Sequence, residues 1–235
     1  DLANYLNMMG ANIRGAGTNV IKIEGVERLE GKNYTIIPDR IEAGTYMVAA
    51  AMTKDDVYIE NAISEHLKPV IAKLKEANVE IIEDVNGIRV RGNGQIKAVD
   101  IKTLPYPGFP TDMQPQMAVL LAIAKGTSIL SESVWDNRFQ YVGQLLRMGA
   151  DIQVDGKIAV IEGVDRLTGV NVKATDLRAG AAMIIAGLVA EGETIVEDIQ
   201  YIDRGYEDVV EKFSSLGAHI RRAEISGAEP VADVG

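Results

Sequence analysis

The chain contains no cysteine, which excludes a disulfide framework, a thiolate metal site and a cysteine nucleophile within its 235 residues. Proline is sparse, and no apolar run is long. The longest, residues 179–190, is about 12 residues and too short to cross a bilayer. No signal-peptide pattern opens the chain. Positive charge is also short: 24 basic residues against 34 acidic ones leave a net charge of −10. Nucleic acid and anionic membranes both need a basic surface, so neither is an expected partner. An anionic small molecule remains compatible, because a few arginines focused in a cleft override the mean field.

Signature motifs are missing too. There is no nucleophile elbow, no phosphate-binding Gly-x-x-x-x-Gly-Lys, no dinucleotide fingerprint and no His-Glu-x-x-His. The two histidines, His66 and His219, are scattered and fit structural roles better than a metal site. Trp135 reads either as an exposed binding aromatic or as a half-buried packing residue. With 47% hydrophobic and 25% charged residues, the composition is that of an ordinary globular protein.

What is present is a repeat. Four segments share an amphipathic helix, a turn and a strand: residues 4–13, 70–81, 142–152 and 209–220, the last placing its strand at His219 and Ile220. The Gly-Ala pairs that close three of the helices suit a left-handed C-cap. Hairpin-like strands are expected around the strings Ile23-Glu24-Gly25-Val26-Glu27-Arg28-Leu29-Glu30-Gly31 and Ile161-Glu162-Gly163-Val164-Asp165-Arg166-Leu167-Thr168-Gly169. A second helix follows in each unit, over residues 43–52, 116–124 and 179–190, apolar nearly all round and hence buried on all sides. The period of roughly 65 to 75 residues is too long for a common solenoid. It predicts an α/β assembly with sheets outside and buried helices at the centre. Because Asp1 opens inside a helical pattern, the chain reads as a truncation, and because the last unit has no following hairpin, its missing strands are expected from sequence not present here.

The chemistry concentrates in acidic turns. Asp39, Asp112 and Asp176 each stand just before a buried helix, where an aspartate ordinarily serves as N-cap. Arginines accompany acids at Asp39-Arg40, Asp136-Asn137-Arg138, Asp176-Leu177-Arg178 and Asp203-Arg204. Such a neighbour either fixes a guanidinium for bidentate phosphate or carboxylate binding or forms a local ion pair of little worth. Symmetry should bring the turns to one end of the assembly, where helix N-termini attract anions.

The strings Pro38-Asp39-Arg40-Ile41-Glu42-Ala43-Gly44-Thr45, Phe109-Pro110-Thr111-Asp112-Met113-Gln114, Asp136-Asn137-Arg138-Phe139, Ala174-Thr175-Asp176-Leu177-Arg178-Ala179 and Ile202-Asp203-Arg204-Gly205-Tyr206-Glu207 resemble the carboxy-terminal half of the UDP-N-acetylglucosamine 1-carboxyvinyltransferases. These are the enolpyruvyl transferases that begin bacterial peptidoglycan synthesis. The resemblance implies an inside-out α/β barrel domain. It divides the chain into residues 1–36, the last piece of a preceding domain, residues 37–222, a second domain, and a tail over 223–235. It implies a cytoplasmic enzyme that moves enolpyruvyl from phosphoenolpyruvate to the 3′-hydroxyl of UDP-N-acetylglucosamine, without metal or other cofactor.

Carried over residue by residue, Asp112 would contact and deprotonate that hydroxyl, Val134 would touch the nucleotide sugar, and Arg204 would reach phosphoenolpyruvate as the cleft closes. Asp176, Arg178 and Arg138 would line the same cleft. The family's cysteine proton donor, a lysine and further arginines belong to sequence outside this chain, so the chain alone is expected to be inactive and its partner to be the missing amino-terminal half. Two other readings stand beside this one: a transferase like 5-enolpyruvylshikimate-3-phosphate synthase, and a non-catalytic anion-binding repeat scaffold.

Overall fold

The computed structural model describes residues 1–223; apart from residue 223, the expected tail lies outside them. The chain opens with helix α1 (Leu2–Met8) and an antiparallel pair, β1 (Asn12–Arg14) and β2 (Lys22–Glu24). None of these three elements buries a residue. The core begins at Ile41.

The first unit runs α2 (Arg40–Thr53), β3 (Asp56–Glu60), α3 (Lys68–Glu76), β4 (Glu80–Glu83) and β5 (Gly87–Arg91), with sheet order β3-β5-β4. The second is β6 (Ile101–Lys102), α4 (Gln114–Ala122), β7 (Thr127–Ser131), α5 (Val142–Arg147), β8 (Asp151–Asp155) and β9 (Ile158–Glu162), ordered β6-β7-β9-β8. The third is β10 (Asn171–Lys173), α6 (Leu177–Val189), β11 (Ile195–Glu197), α7 (Gln200–Asp203) and α8 (Val209–Ser215). In the second and third units a helix connects two parallel strands, β6 to β7 and β10 to β11.

Helices α2, α4 and α6 pack on one another, and the sheets lie around them. Every residue of α4 is buried, and in α2 and α6 burial runs through most of the length. Apolarity on all faces thus translates into a position with no solvent side. The last residues of α6, 187–189, are only half-buried. The sheets remain four separate sets of strands among the described residues rather than one closed barrel.

Two local expectations are corrected. The hairpins form ahead of the Glu-Gly-Val strings, not within them: β8 turns at Gly156 (φ +56°) into β9, which ends at Glu162. From there the backbone leaves the sheet along the end of α4, with the Gly163 amide on the Gly126 carbonyl (3.1 Å) and the Val164 amide on the Ala122 carbonyl (2.8 Å). The expected strand at His219–Ile220 also does not form; the backbone there turns back on itself, the Ile220 amide reaching the Ala218 carbonyl at 3.1 Å.

The tight exit after β9 yields a prediction. A Cβ on Gly163 would stand 1.5 Å from the Ala124 carbonyl oxygen, a backbone atom with little room to retreat. Gly163→Ala should therefore destabilise the protein by about 3 kcal/mol and lower the midpoint of a thermal melt by roughly 6–12 °C. The repeat-equivalent Gly25 meets nothing within 4 Å, so Gly25→Ala serves as the control. Equal melting of the two variants would refute the packing argument.

Candidate active site

The three acidic turns do not play equal parts. Asp39 caps α2, its carboxylate accepting the Ile41 amide at 2.7 Å. Asp176 caps α6, accepting the Arg178 and Ala179 amides at 2.8 and 2.9 Å. Asp112 caps nothing. A single 3-10 turn, Thr111–Met113, extends α4 backwards, Pro110 holds the capping position, and Asp112 lies within the turn. The expectation that Asp112 is an N-cap like the others is therefore overturned. Its carboxylate is left for other work.

That carboxylate faces two arginines from other parts of the chain. Arg178 Nη2 donates to Asp112 Oδ2 at 3.2 Å. Arg138, in the 3-10 turn ahead of α5, lies 3.8 Å from Asp112 Oδ1 and 3.6 Å from Asp176 Oδ2. The guanidinium side chains are 15% and 16% exposed, the carboxylates 43% and 40%. The cations thus sit deeper than the anions, at the end of the central bundle where α4 and α6 begin. Arg138 Nε and Nη2 and Arg178 Nη1 are buried with no hydrogen-bond partner among the described residues. Buried donors in native structures are nearly always satisfied, and charged ones left bare are costly. Three such donors beside a partly exposed carboxylate suit an oxyanion supplied from outside.

None of the four sequence-adjacent acid–arginine neighbours forms an ion pair with its own neighbour. Asp136 pairs with Lys157 at 2.6 Å, Asp203 with Arg222 at 3.0 Å, and Asp176 with Arg138. Arg40 lies over the Tyr106 ring, 5.9 Å from its centroid. The Arg222 guanidinium beside Asp203 holds that carboxyl below the usual carboxylate range. Arg204 is exposed at the end of α7 and makes no ion pair among the described residues. No hydrogen bond or ion pair joins it to Asp112, Asp176, Arg138 or Arg178.

A buried polar trio supports Arg178 from below. Thr45 Oγ1 donates to the Ile41 carbonyl (2.9 Å), accepts from Gln116 Nε2 (3.1 Å) and lies 2.9 Å from the Tyr206 hydroxyl. One hydroxyl proton is already committed to Ile41, so Tyr206 must be the donor to Thr45. Its oxygen is then free to accept, and the Arg178 guanidinium stands beside it. Burial pushes the Tyr206 hydroxyl up, with Arg178 pulling the other way, which keeps it a neutral phenol. The Asp203-Arg204-Gly205-Tyr206 turn is thereby tied to α2 and α4.

Nothing in the sequence pattern marks Glu132. It is 3% exposed, yet an acid at the end of a strand reads as a surface residue. Its carboxylate accepts four hydrogen bonds: from Thr103 Oγ1 at 2.7 Å, Thr111 Oγ1 at 2.9 Å, and the Val134 and Trp135 amides at 2.8 and 3.0 Å. Burial alone would raise its pKa, but these donors outweigh burial and hold it below the usual carboxylate range. Glu132 therefore stays ionised, and the stability it contributes is present above the normal glutamate pKa and lost as the pH falls through its lowered value. Val134 lies in the loop so held, 40% exposed, and Trp135 beside it is 57% exposed among the described residues.

Comparison with known proteins shows the family of the chain. The profile of the family described as EPSP synthase (3-phosphoshikimate 1-carboxyvinyltransferase) matches residues 1–213. A UDP-N-acetylglucosamine 1-carboxyvinyltransferase of Halothermothrix orenii is 60% identical over 95% of this chain and 54% of its own length. One of Desulfofundulus thermocisternus is 57% identical over 99% of this chain and 96% of its own length. The chain thus spans about half the length of most of the curated relatives it matches. Among solved structures, the enolpyruvyl transferase NikO from Streptomyces tendae superposes with a TM-score of 0.83 at 28% identity, over 94% of this chain and 53% of that one. EPSP synthase from Acinetobacter baumannii superposes at 0.74 with 21% identity, over 94% and 55%, a likeness of fold.

Proposed function

The chain belongs to the EPSP synthase family of enolpyruvyl transferases, and on that premise we propose that the whole protein moves enolpyruvyl from phosphoenolpyruvate to the 3′-hydroxyl of UDP-N-acetylglucosamine, in the bacterial cytoplasm, with this chain forming one wall of the cleft. The observation that carries the proposal is the uncapped Asp112 carboxylate set against the unsatisfied donors of Arg138 and Arg178. Residues 37–222 are assigned to one domain. Residues 1–36 are assigned to the last piece of another, in keeping with elements that bury nothing here.

The chemistry asks for what the cluster offers. The acceptor hydroxyl must lose its proton as its oxygen bonds to the phosphate-bearing carbon of phosphoenolpyruvate. A carboxylate within hydrogen-bond reach serves as the base. The phosphate group departs with its bonding electrons, and guanidinium donors stabilise the charge on a highly anionic substrate. Addition also places a proton on the methylene carbon, and that carbon gives a proton up again as phosphate leaves and the double bond re-forms; both transfers are assigned to a group in sequence outside this chain. Arg204, exposed and without an ion pair among the described residues, is assigned to phosphoenolpyruvate from the open side of the cleft. Asp176 orients Arg138, and Val134 offers the acceptor an apolar contact.

The identities of about 60% to proteins named for UDP-N-acetylglucosamine favour that acceptor over a shikimate. The test is phosphate release by the full-length protein from phosphoenolpyruvate with either acceptor. UDP-N-acetylglucosamine should support turnover, and shikimate-3-phosphate should not. The reverse result would move the protein to the other branch, and release with neither would leave a binding scaffold.

A further inference from the structure

Four donors converge on the Glu132 carboxylate from three separate pieces of chain. Thr103 comes from the segment after β6, Thr111 from the turn that carries Asp112, and the Val134 and Trp135 amides from the loop after β7. Three of them use Oε1, and Thr111 alone uses Oε2. The backbone of the same segment is pinned as well. The Glu132 amide donates to the Lys157 carbonyl at 2.8 Å, the Thr103 amide to the Ser131 carbonyl at 2.9 Å, and the Ser133 amide to Thr103 Oγ1 at 2.9 Å. The Asp112 turn leads directly into the buried helix α4, which holds it, whereas the Val134 loop is irregular and does not fix its own position.

We propose that Glu132 is a positioning residue: its buried carboxylate ties the turn bearing Asp112 to the loop bearing Val134, so that the surface meeting the acceptor and the base meeting its hydroxyl keep one fixed separation. The inference rests on the reading of Asp112 as the base and of Val134 as an acceptor contact. A carboxylate suits the task, because it has acceptor sites for all four donors at once and each bond to an ionised acceptor is stronger than a neutral one. A misplacement of about 1 Å costs on the order of 10²-fold in rate, so the hydrogen bond that joins the loop to the turn acts on turnover without touching substrate.

Thr111 separates positioning from mere folding, since it is half-buried and supplies the one bond that reaches the Asp112 turn. In the full-length protein, Thr111→Val deletes that bond and leaves the three on the loop side. The expected result is a fall in kcat of about tenfold, with KM for UDP-N-acetylglucosamine within about twofold of the parent. Thr111→Ser, which keeps the hydroxyl, should restore most of the loss. Thr111→Ala repeats the deletion without the added methyl and should match the valine variant. Each is assayed well below its own melting midpoint, so a change in stability alone does not enter kcat. An unchanged kcat in the valine and alanine variants overturns the inference, and so does a serine variant as impaired as they are. Both outcomes are read against a parent that turns over UDP-N-acetylglucosamine; a parent that does not would overturn the functional reading itself.

Discussion

Replacing Asp112 with asparagine in the full-length protein should lower turnover by about 10²–10⁴ while leaving the thermal melt nearly unchanged. Asparagine is nearly isosteric and an equally good cap, so even a capping residue would tolerate it. Asp112 makes no cap at all, which leaves its stability role to the Arg178 hydrogen bond and the longer Arg138 pair on a partly exposed carboxylate. Asp112 is 43% exposed, so solvent screens its side of both pairs, and Asp176 still faces Arg138 when the charge is removed. The amide oxygen can still accept from Arg178, but the side chain can no longer take a proton from a hydroxyl. Steady-state turnover, a melt and binding of UDP-N-acetylglucosamine, measured side by side, separate the two contributions. Near-normal turnover would require the base to be some other group.

Arg178→Lys is expected to reduce kcat/KM for phosphoenolpyruvate by about 10- to 100-fold, and to affect UDP-N-acetylglucosamine less. Arg178 spends Nη2 on Asp112, holds Nη1 buried with no hydrogen-bond partner among the described residues, and rests against the Tyr206 oxygen. A planar fork serves these directions at once; an ammonium on a flexible stem cannot reproduce the geometry although it keeps the charge. The measurement is the dependence of rate on phosphoenolpyruvate concentration at saturating acceptor. If the lysine variant follows the parent curve, the unsatisfied donors of Arg178 do not meet this substrate. A general loss of stability would show in the melt and would depress both substrates alike.

Much of the architecture was legible before any coordinates. An apolar pattern on every face of residues 43–52 and 116–124 leaves a helix no exposed side, and both helices lie in the core. Asp39 and Asp176 were readable as caps because the interaction is local, a carboxylate on an amide two or three residues ahead. Hairpin placement failed because the Glu-Gly-Val strings look like turns, whereas Gly163 is there to let the backbone pass the Ala124 carbonyl. The resemblance named Asp112, Arg138, Asp176 and Arg178 together, and the structure draws these four into contact. Arg204 it joins to none of them by a hydrogen bond or ion pair.

By itself, then, the sequence determined the elements whose causes lie within a few residues: the repeat, the buried helices and two of the three caps. Only the tertiary structure decided which charges meet. Successive residues at the start of a helix point about 100° apart, so Asp176 turns to the amides of its own helix while Arg178, two positions on, reaches across to Asp112 in another unit. Pro110 takes the capping place that would have occupied Asp112, and Arg138 arrives from a third stretch of chain to bridge both carboxylates. Glu132 shows the same division. As a letter in the sequence it is one acid among 34 acidic residues; folding buries it and surrounds it with four donors from segments up to 29 residues away. Adjacency in the chain fixes local hydrogen bonds, whereas ion pairing depends on where separate elements aim their side chains, and that direction exists only once the helices have packed.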